Sequence, residues 1–453
     1  MQKIFNKTLT FILCGGIIMS ENIIRIGSED MTIKKIKLDG FKNLKNIDLT
    51  LNNITSLLSV NSYGKTNLLT ALRFGFDFIV RPNDIKSNQM EYDPAFPINV
   101  NNLNKSFSFE LDAELDDEEI IYGYSFLWAK DNTVPKILTE YLKIREPDES
   151  QKYTFYIKRE NEKAYYKPSK TGSCNKSIII EDNSLILNKI QAYDDLYYIK
   201  IINELNKLKI FVDDDFDATK PFKAKPILNG ESFNYDLKGK NNIPTILYDI
   251  QQTRPEKYNL IINTFKDIFP SIENIGVVEI PITDEKLVGN KNIDHSKIAG
   301  KFYAVVAKDK NLSTAIHFNN MSDGARRILK ILTNLELASH DGCSIVAIEE
   351  PENSLNPRIL QQYLIALNSF AKSIKIIITS HSPYLINYIN PSYIYIGLPN
   401  DNGVASFSKI KDTLITRLMN DANALDLNVG DYIFDLMSGD INDLETLTKY
   451  TEQ

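Results

Sequence analysis

The chain has 453 residues, which is long enough for about three ordinary domains or one large domain with insertions. Its 52 Lys and Arg against 59 Asp and Glu give a formal net charge of −7, and 43% of its residues are hydrophobic. This composition excludes a disordered or collagen-like chain, and it argues against a dedicated nucleic-acid coat, which would carry a basic excess. The three cysteines and four histidines form no disulfide framework or zinc motif. We therefore expect a reduced, cytoplasmic protein.

Residues 1–30 precede the first recognisable strand pattern and are interpreted as an N-terminal extension. An apolar run from Leu9 to Met19 follows two lysines in the outline of a signal peptide, but bulky residues stand where a cleavage site needs small ones. The run is also too short to cross a membrane. We expect an extension on a cytosolic protein without membrane association, and the start codon stays open between Met1, Met19 and Met31.

The next two parts of the chain differ in their hydrophobic pattern. Residues 31–104 hold three strand patterns, a helical pattern over 67–80, and a loop rich in Pro and Asn over 81–104. Residues 105–182 change to successive alternating strands, the last of them SIIIED, whose spacing predicts an antiparallel β-rich lobe.

The second half of the chain is predicted to hold an insertion and a compact α/β unit. Residues 183–299 are predicted to be a mainly helical insertion, with helical patterns over 184–209 and 256–269 and an irregular segment over 213–245. Residues 300–453 alternate strands with helices, which predicts a mostly parallel sheet. Its strands SIVAI and IKIIIT are almost continuously apolar, as strands covered on both faces are.

A phosphate-binding loop is predicted where Gly64, Lys65 and Thr66 follow the apolar strand LLSV and open a helix. In this setting backbone N–H groups cradle phosphates, Lys reaches the β- and γ-phosphates, and Thr binds Mg²⁺. The strict GxxxxGK[ST] pattern is not met, because Ser59 replaces its first glycine and Ser62 stands where related loops often have another. We predict that ATP is bound by the loop residues Asn61, Ser62, Tyr63, Gly64, Lys65, Thr66 and Asn67.

Two other apolar strands end in residues suited to phosphate chemistry. SIVAI ends in Glu349 and Glu350 at the edge of a sheet where ligands bind. Glu349 is predicted to hold Mg²⁺ together with Thr66, and Glu350 is predicted to deprotonate the attacking water. IKIIIT runs out into His381, whose imidazole is suited to hydrogen-bond the γ-phosphate. The predicted catalytic residues are therefore Lys65, Glu350 and His381.

A helix start supplies the last candidate phosphate site. Ser322, Asp323 and Gly324 precede the apolar-periodic segment ILKILTNLELA, and Ser322 is a good N-cap. The free N–H groups and the helix dipole at such a start can bind an anion, although plain helix capping explains the same residues. We predict that these three residues contact ATP.

These four motifs in this order resemble the ABC-type ATPases of the RecF, SMC and OLD kind. SVNSYGKTN is similar to a Walker A loop, MSDGARR to the ABC signature, AIEEPENSLNP to Walker B and the D-loop, and TSHSP to a switch-histidine loop. The resemblance covers about 31–80 and 300–395, and Lys42 stands where the family has a basic residue near the nucleotide. It implies an α/β fold, namely a P-loop ABC-type ATPase head with an antiparallel β lobe and a helical insertion.

The resemblance also implies cofactors and partners. The cofactors would be ATP and Mg²⁺, and two heads would sandwich two ATP molecules, each signature completing the site of the other subunit. A stand-alone ATPase of this size is similar to the ATPase subunits of the anti-phage systems Septu, PARIS and AbiL. We therefore expect a homodimer or higher homo-oligomer and a separately encoded effector, with a nuclease as the expected kind. A RecF-like repair ATPase that acts directly on nucleic acid and an ATP-gated scaffold with little turnover remain open alternatives.

An acidic strand end offers a further alternative, a metal-dependent nuclease site. The strand in KIFVDDDFD is followed by four carboxylates, those of Asp213, Asp214, Asp215 and Asp217, and Toprim nucleases hold metal with a DxD at a strand end. An EF-hand is excluded because Ala218 replaces the required glycine. No Toprim-like βαβ pattern surrounds the segment, so a solvated acidic loop is the favoured interpretation.

Overall fold

The structure is a computed structural model of the chain. It describes residues 12–13, 16–17, 31–60, 63–91, 98–102, 106–130, 133–145, 152–193, 195–213, 227–228, 242–282, 300–353, 355–371, 374–398 and 402–452.

The strands within these ranges are β1 (Ile12–Leu13), β2 (Gly16–Ile17), β3 (Thr32–Asp39), β4 (Ile47–Thr50), β5 (Ile54–Ser59), β6 (Ser106–Leu115), β7 (Glu118–Leu127), β8 (Lys136–Arg145), β9 (Thr154–Glu160), β10 (Lys163–Tyr166), β11 (Lys176–Ser177), β12 (Ile210–Asp213), β13 (Ile227–Leu228), β14 (Ile272–Ile282), β15 (Gly300–Asp309), β16 (Ile316–His317), β17 (Ile345–Glu349), β18 (Lys375–Ser380), β19 (Ile394–Gly397) and β20 (Phe407–Lys409).

The helices are α1 (Lys65–Val80), α2 (Asn83–Met90), α3 (Ile186–Ile190), α4 (Ile199–Leu205), α5 (Ile243–Thr253), α6 (Pro255–Ile268), α7 (Asp323–His340), α8 (Pro357–Phe370), α9 (Pro383–Ile386), α10 (Ile415–Ala424), α11 (Val429–Ser438) and α12 (Ile441–Tyr450). Within the described ranges, none of these helices combines the length and the apolar character that a membrane span requires.

The central sheet has the strand order β12-β17-β18-β5-β19-β20. Every neighbouring pair is parallel except β19 and β20, which are antiparallel. The side chains of β5 are buried throughout, and those of β17 and β18 are buried except at one end, because helices cover both faces of the sheet. The mostly parallel sheet predicted for residues 300–453 is therefore confirmed for β17, β18 and β19, whereas β15 and β16 lie in a separate antiparallel sheet with β13 and β14. The C-terminal ends of its parallel strands lie at one edge.

A second, antiparallel sheet has the order β11-β10-β9-β8-β7-β6-β3-β4. Its strands alternate buried and partly exposed residues, as a sheet with one covered face does. The antiparallel β lobe predicted from residue 105 onward is thus confirmed, and the N-terminal strands β3 and β4 extend the same sheet. The strand predicted for SIIIED was wrong: only its first residue, Ser177, lies in β11, and Ile179 is 89% exposed.

Helix α1 packs between the two sheets and carries the phosphate loop at its N-terminus. The Phe78 ring stacks on Tyr124 of the antiparallel sheet, with centroids 4.8 Å apart. On the same helix, a Cβ at Gly75 would lie 2.2 Å from the Phe109 ring, so only glycine permits this close approach. The β lobe therefore sets the position of α1.

Other predictions of helices and loops were also wrong in part. Helix α2 lies in the segment 81–104 that the sequence predicted as a loop, because its Asn- and Ser-rich sequence has low helix propensity while tertiary contacts stabilise it. One such contact is a hydrogen bond of 2.6 Å from buried Lys86 to Asn188 Oδ1. The helical pattern over 184–209 forms two short helices, and α5 begins inside the segment predicted to be irregular.

The predicted insertion, residues 183–299, contributes a strand to the central sheet. Strand β12 pairs in parallel with β17, with Val212 opposite Ala347. The division into an N-terminal extension, two head segments, a β lobe and an insertion stays a prediction.

Candidate functional site

The order of three neighbouring strands brings the predicted catalytic residues together. Strand β18 lies between β17 and β5, with Thr379 paired to Glu349 and Ser380 paired to Leu58. The residue after β18, His381, therefore lies between the acidic end of β17 and the phosphate loop that follows β5. The sequence predicted the three strand ends, but not that the histidine strand is the middle one.

Lys65 is the first residue of α1, and its side chain turns back over the end of β5. Its Nζ donates to the carbonyl of Ser59 at 2.9 Å and to the Ser59 hydroxyl at 3.2 Å. Burial lowers the pKa of Lys65 to about 8, and the nearby carboxylates of Glu350 and Glu349 oppose part of this shift. The serine that replaces the first glycine of the loop thus binds the loop lysine directly.

Gly64 adopts a conformation that favours glycine. Its φ is +138°, and a Cβ there would lie 2.9 Å from the Cβ of Ala405. The segment around Ala405 forms a wall beside the loop, since the Ser406 N–H donates to the Tyr63 hydroxyl at 3.2 Å. Asn43 Nδ2 also donates to the Tyr63 carbonyl at 3.1 Å. The sequence analysis missed Asn43, Ala405 and Ser406, for which no motif gave a signal.

Asn67 and Lys42 adjoin the same loop. Lys42 Nζ donates to Asn67 Oδ1 at 3.4 Å, and Asn67 Nδ2 donates to Asn43 Oδ1 at 2.9 Å. The side chain of Lys42 therefore reaches the helix that begins at the phosphate loop. Two other predicted ATP contacts, Asn61 and Ser62, lie outside the described residues.

Thr66 and Glu349 form the pair predicted to hold Mg²⁺. The Thr66 hydroxyl donates a hydrogen bond to Glu349 Oε1, although 283 residues separate them in sequence. A hydroxyl and a carboxylate are oxygen donors of the kind that Mg²⁺ prefers. The donor set at this point therefore fits a magnesium ion.

The imidazole of His381 lies between a cation and a carboxylate. Its Nδ1 is 3.3 Å from Lys65 Nζ, and its Nε2 is 3.0 Å from Glu350 Oε1. Because an ammonium only donates, the tautomer that satisfies both neighbours is the one in which Nδ1 accepts from Lys65 and Nε2–H donates to Glu350. Burial and the charge of Lys65 lower the pKa of His381, while Glu350 opposes the shift. The neutral imidazole is therefore the favoured form at neutral pH.

Glu350 lies in a tight turn at the end of β17. Its φ is +45°, in the left-handed region that side-chain-bearing residues seldom adopt. The Glu350 N–H donates to the Thr379 carbonyl at 2.9 Å, and Asn353 Nδ2 donates to Glu350 Oε2 at 2.6 Å. Both carboxylate oxygens are thus hydrogen-bonded, one to Asn353 and the other to His381.

Helix α7 begins at the predicted signature. The Ser322 hydroxyl accepts from the Ala325 N–H at 3.3 Å, which confirms Ser322 as the N-cap, and Asp323 pairs with Arg326. No hydrogen bond or ion pair joins Ser322, Asp323 or Gly324 to those residues of the phosphate loop that the structure describes.

A residue of α7 that the sequence analysis missed does reach the site. Arg327 Nη2 donates to the carbonyls of Glu349 at 2.7 Å and Glu350 at 2.8 Å. Within one chain, the signature helix therefore contacts the end of β17 through Arg327. The sequence could have indicated Arg327, because this residue lies in the signature segment MSDGARR.

The strand end considered as a metal site has a different contact. Asp213 Oδ1 lies 2.8 Å from Lys330 Nζ, with only 9% and 2% of the two side chains exposed. Asp213 thus forms a buried ion pair with α7. Within the described ranges, no group of three His, Cys, Asp or Glu side chains is arranged to hold a metal. Asp214, Asp215 and Asp217 lie outside those ranges.

Several solved structures are similar to this chain at low sequence identity. The SMC head domain from Thermotoga maritima has 12% identity and a TM-score of 0.42, over 84% of this chain and 99% of that chain. An SmcHead bound to the C-winged helix domain of ScpA has 12% identity and a TM-score of 0.43, over 85% of this chain and 99% of that chain. A Pyrococcus furiosus Smc head domain with an extended coiled coil, bound to the C-terminal domain of ScpA, has 10% identity and a TM-score of 0.44, over 87% of this chain and 100% of that chain. At scores this low, nothing further about the chain follows from the likeness.

The sequence profile of one protein family matches most of the chain. The family is described as "AAA domain, putative AbiEii toxin, Type IV TA system", and the match runs over residues 60–387. The match begins at the end of β5 and ends just beyond His381, so it contains Lys65, Glu350 and His381. The chain therefore belongs to this family of P-loop ATPase domains.

Proposed function

We propose that the chain binds and hydrolyses ATP at the edge where β5, β17 and β18 end. The observation that carries this proposal is the position of His381, 3.3 Å from Lys65 Nζ and 3.0 Å from Glu350 Oε1. A cation for phosphate, a carboxylate for the attacking water and an imidazole in contact with both are groups suited to hydrolysis of the γ-phosphate of ATP. The donor pair Thr66 and Glu349 supports a magnesium-dependent reaction.

Each residue has a distinct role in this reaction. Lys65 binds the β- and γ-phosphates, and Glu350 accepts a proton from the attacking water. His381 hydrogen-bonds both Lys65 and Glu350, so it responds to the arrival and loss of the γ-phosphate. When bound by Thr66 and Glu349, Mg²⁺ would neutralise charge on the phosphate oxygens.

Purified protein tests the proposal. We expect Mg²⁺-dependent release of phosphate from ATP, and Lys65→Ala should abolish ATP binding because it removes the only cation in contact with Ser59 and His381 within the described ranges. Lys449→Ala, at an exposed lysine of α12, is the matched control and should bind ATP normally. Normal binding and turnover in Lys65→Ala would contradict the proposal.

An ATP-gated scaffold with little turnover is the second candidate. It is favoured by the contact between Lys65 and the carbonyl and hydroxyl of Ser59, because phosphate must compete with these two acceptors. Ser59→Gly removes the hydroxyl and restores the usual first glycine of the loop. Two results together would favour the scaffold: a wild type with barely detectable ATP turnover, and turnover that rises tenfold or more in Ser59→Gly.

We also propose that two copies of the chain complete each other's nucleotide sites. Ser322 and Gly324 lie at the N-terminus of an 18-residue helix, where free N–H groups and the helix dipole favour phosphate. With ATP, Glu350→Gln should lock pairs of heads, and adding Gly324→Asp should release them because it puts a carboxylate against phosphate. Light scattering gives the mass with and without ATP, and a mass that is indifferent to both ATP and Gly324→Asp would contradict the composite site.

The biological role we propose is that of a cytoplasmic sensor or motor in an OLD-like anti-phage complex with a separately encoded effector, a nuclease being the expected kind. The family description, which refers to a toxin of a type IV toxin–antitoxin system, supports a role alongside a second protein. Native co-purification should recover that partner in a nucleotide-dependent manner. DNA-stimulated hydrolysis without a partner would instead favour the RecF-like alternative.

The effector proposal requires that this chain alone leaves DNA and RNA intact. Asp213 is an unsuitable position for the test, because Asp213→Ala would break its buried ion pair with Lys330 and so destabilise the fold. Asp215→Ala is the better variant. If the wild type cleaves DNA or RNA with Mg²⁺ or Mn²⁺ and Asp215→Ala does not, the acidic segment is a metal-dependent nuclease site and the effector proposal is wrong.

A further inference from the structure

A third glutamate lies beside the site without a role in the reaction described above. Glu352 is in the turn after β17, two residues beyond Glu350. Its Oε1 accepts hydrogen bonds from the Ser380 hydroxyl and, at 3.1 Å, from the backbone N–H of His381. The Ser382 N–H in turn donates to the Ser380 hydroxyl at 2.9 Å. One carboxylate therefore contacts Ser380 and His381 directly, and Ser382 through the Ser380 hydroxyl.

The connection that follows β18 lies outside the regular secondary structure. His381 and Ser382 belong to no helix or strand, and they join β18 to the four-residue helix α9. Yet the imidazole of His381 must meet Lys65 and Glu350 at hydrogen-bonding distance on its two opposite nitrogens. A displacement of about 1 Å would break both contacts, because hydrogen bonds weaken steeply beyond their normal length. Precise placement of the His381 backbone is therefore a requirement of the site.

The surroundings of Glu352 also suggest that its carboxylate serves the site. Its second oxygen, Oε2, is buried and has no hydrogen-bond partner among the described residues. Burial raises the pKa of Glu352, while its donors, the Ser380 hydroxyl and the His381 N–H, oppose the rise. A carboxylate is a costly group at such a place when a neutral side chain could fill it. The cost is consistent with a function in the reaction.

We propose that Glu352 is a positioning residue that holds the His381 backbone so that the imidazole bridges Lys65 and Glu350. Glu352 itself contacts neither of those two side chains by any hydrogen bond within the described ranges, and it acts through Ser380 and His381. This inference rests on the proposed ATP hydrolysis for its kinetic consequence, but the placement of the imidazole can be measured without turnover.

Two substitutions separate positioning from general stability. Glu352→Gln keeps an Oε1 acceptor for Ser380 and the His381 N–H, whereas Glu352→Ala removes it. We expect kcat to fall at least about tenfold in Glu352→Ala with little change in the Kd for ATP, and to stay near wild type in Glu352→Gln. Glu445→Ala, at an exposed glutamate of α12, is the control for loss of a carboxylate.

Nuclear magnetic resonance of the histidine rings gives the readout that does not depend on turnover. The chain has four histidines, so the ring signals of His381 can be assigned with a His381→Gln sample. In Glu352→Ala the released imidazole should lose contact with Lys65 and become more solvated, so its pKa should rise toward about 6.5, the value of a free side chain. In Glu352→Gln it should stay depressed.

The outcomes distinguish the proposed role of Glu352 from the proposed ATP hydrolysis. The inference is overturned if Glu352→Gln behaves like Glu352→Ala, or if the His381 titration is unchanged in Glu352→Ala. If Glu352→Ala does not fold, Ser380→Ala removes the same hydroxyl donor and should shift His381 in the same direction. A wild type without turnover would contradict the proposed hydrolysis, while the His381 titration would still decide the role of Glu352.

Discussion

Lys65 and His381 are 316 residues apart in sequence, and Lys65 Nζ lies 3.3 Å from His381 Nδ1. The contact exists because β18 lies directly beside β5 in the central sheet, so that the residue after one strand meets the loop after the other. On its far side, β18 pairs with β17, which brings Glu350 to the other nitrogen of the imidazole. The strand order thus determines which groups interact.

His381→Gln tests how much the contacts of the imidazole with Lys65 and Glu350 contribute to turnover. Glutamine can replace only one of the two ring contacts, so we expect turnover to fall about 10²-fold, in the range of general acid–base contributions, with ATP binding largely retained. Phosphate release and ATP binding should be measured together. His340→Gln, at an exposed histidine at the end of α7, is the control. Unchanged turnover in His381→Gln would remove the imidazole from the mechanism.

The affinity for ATP should depend on pH through Lys65. Burial lowers its pKa to about 8 in the free protein, so the ammonium that binds phosphate is lost as the pH rises through 8. Bound phosphate holds this proton, and affinity should therefore be constant below pH 8 and weaken by up to about tenfold per pH unit above it. Titration calorimetry at pH 7, 8 and 9 measures this. The arginine of Lys65→Arg cannot deprotonate in this range, so this variant should show no such slope. An equal slope in the wild type and in Lys65→Arg would mean that a group other than Lys65 causes the pH dependence.

Arg327 should couple the signature helix to Glu350. Arg327→Met removes two charge-assisted hydrogen bonds to the carbonyls of Glu349 and Glu350, which should lower the free energy of unfolding by about 2–4 kcal/mol. It should also reduce turnover, because the left-handed turn at Glu350 loses its support. Arg358→Met, at an exposed arginine of α8, should change neither. Denaturant unfolding and phosphate release check both effects, and equal stability of the two variants would contradict the coupling.

Gly64→Ala should disrupt the phosphate loop for two reasons. The left-handed conformation costs a residue with a side chain about 1–2 kcal/mol, and the new Cβ would lie 2.9 Å from Ala405. ATP affinity should fall more than tenfold. Gly172→Ala is a matched control, since Gly172 has φ +113° but open space around its Cβ position, and it should cost stability alone. If the two variants bind ATP equally well, the contact with Ala405 does not shape the loop.

The sequence predicted most of the parts of the site but not their mutual order. Continuous apolar runs identified β17 and β18 as covered strands, and the polar residues at their ends marked the edge of the sheet. Strand order is set by long-range packing, which local patterns do not encode. The participation of β12 in the central sheet was missed for the same reason.

The contacts that residues make with backbone groups were also not predicted from the sequence. Arg327 binds two carbonyls and Glu352 binds an N–H and a hydroxyl, contacts that the motif segments containing them, MSDGARR and AIEEPENSLNP, do not reveal. Ala405 lies beside Gly64 because its backbone pairs with the segment around Leu44, a long-range contact that no local pattern marks. Such contacts follow from the fold rather than from residue spacing.

The most direct test of the account compares Glu350→Gln with the wild type in ATP binding and in phosphate release. Glutamine is the same size as glutamate but is not a base, so the variant should bind ATP as tightly as the wild type and release phosphate at least about 10²-fold more slowly. Phosphate release by Glu350→Gln at the wild-type rate would contradict the assignment of Glu350 as the base and, with it, the mechanism proposed for this site.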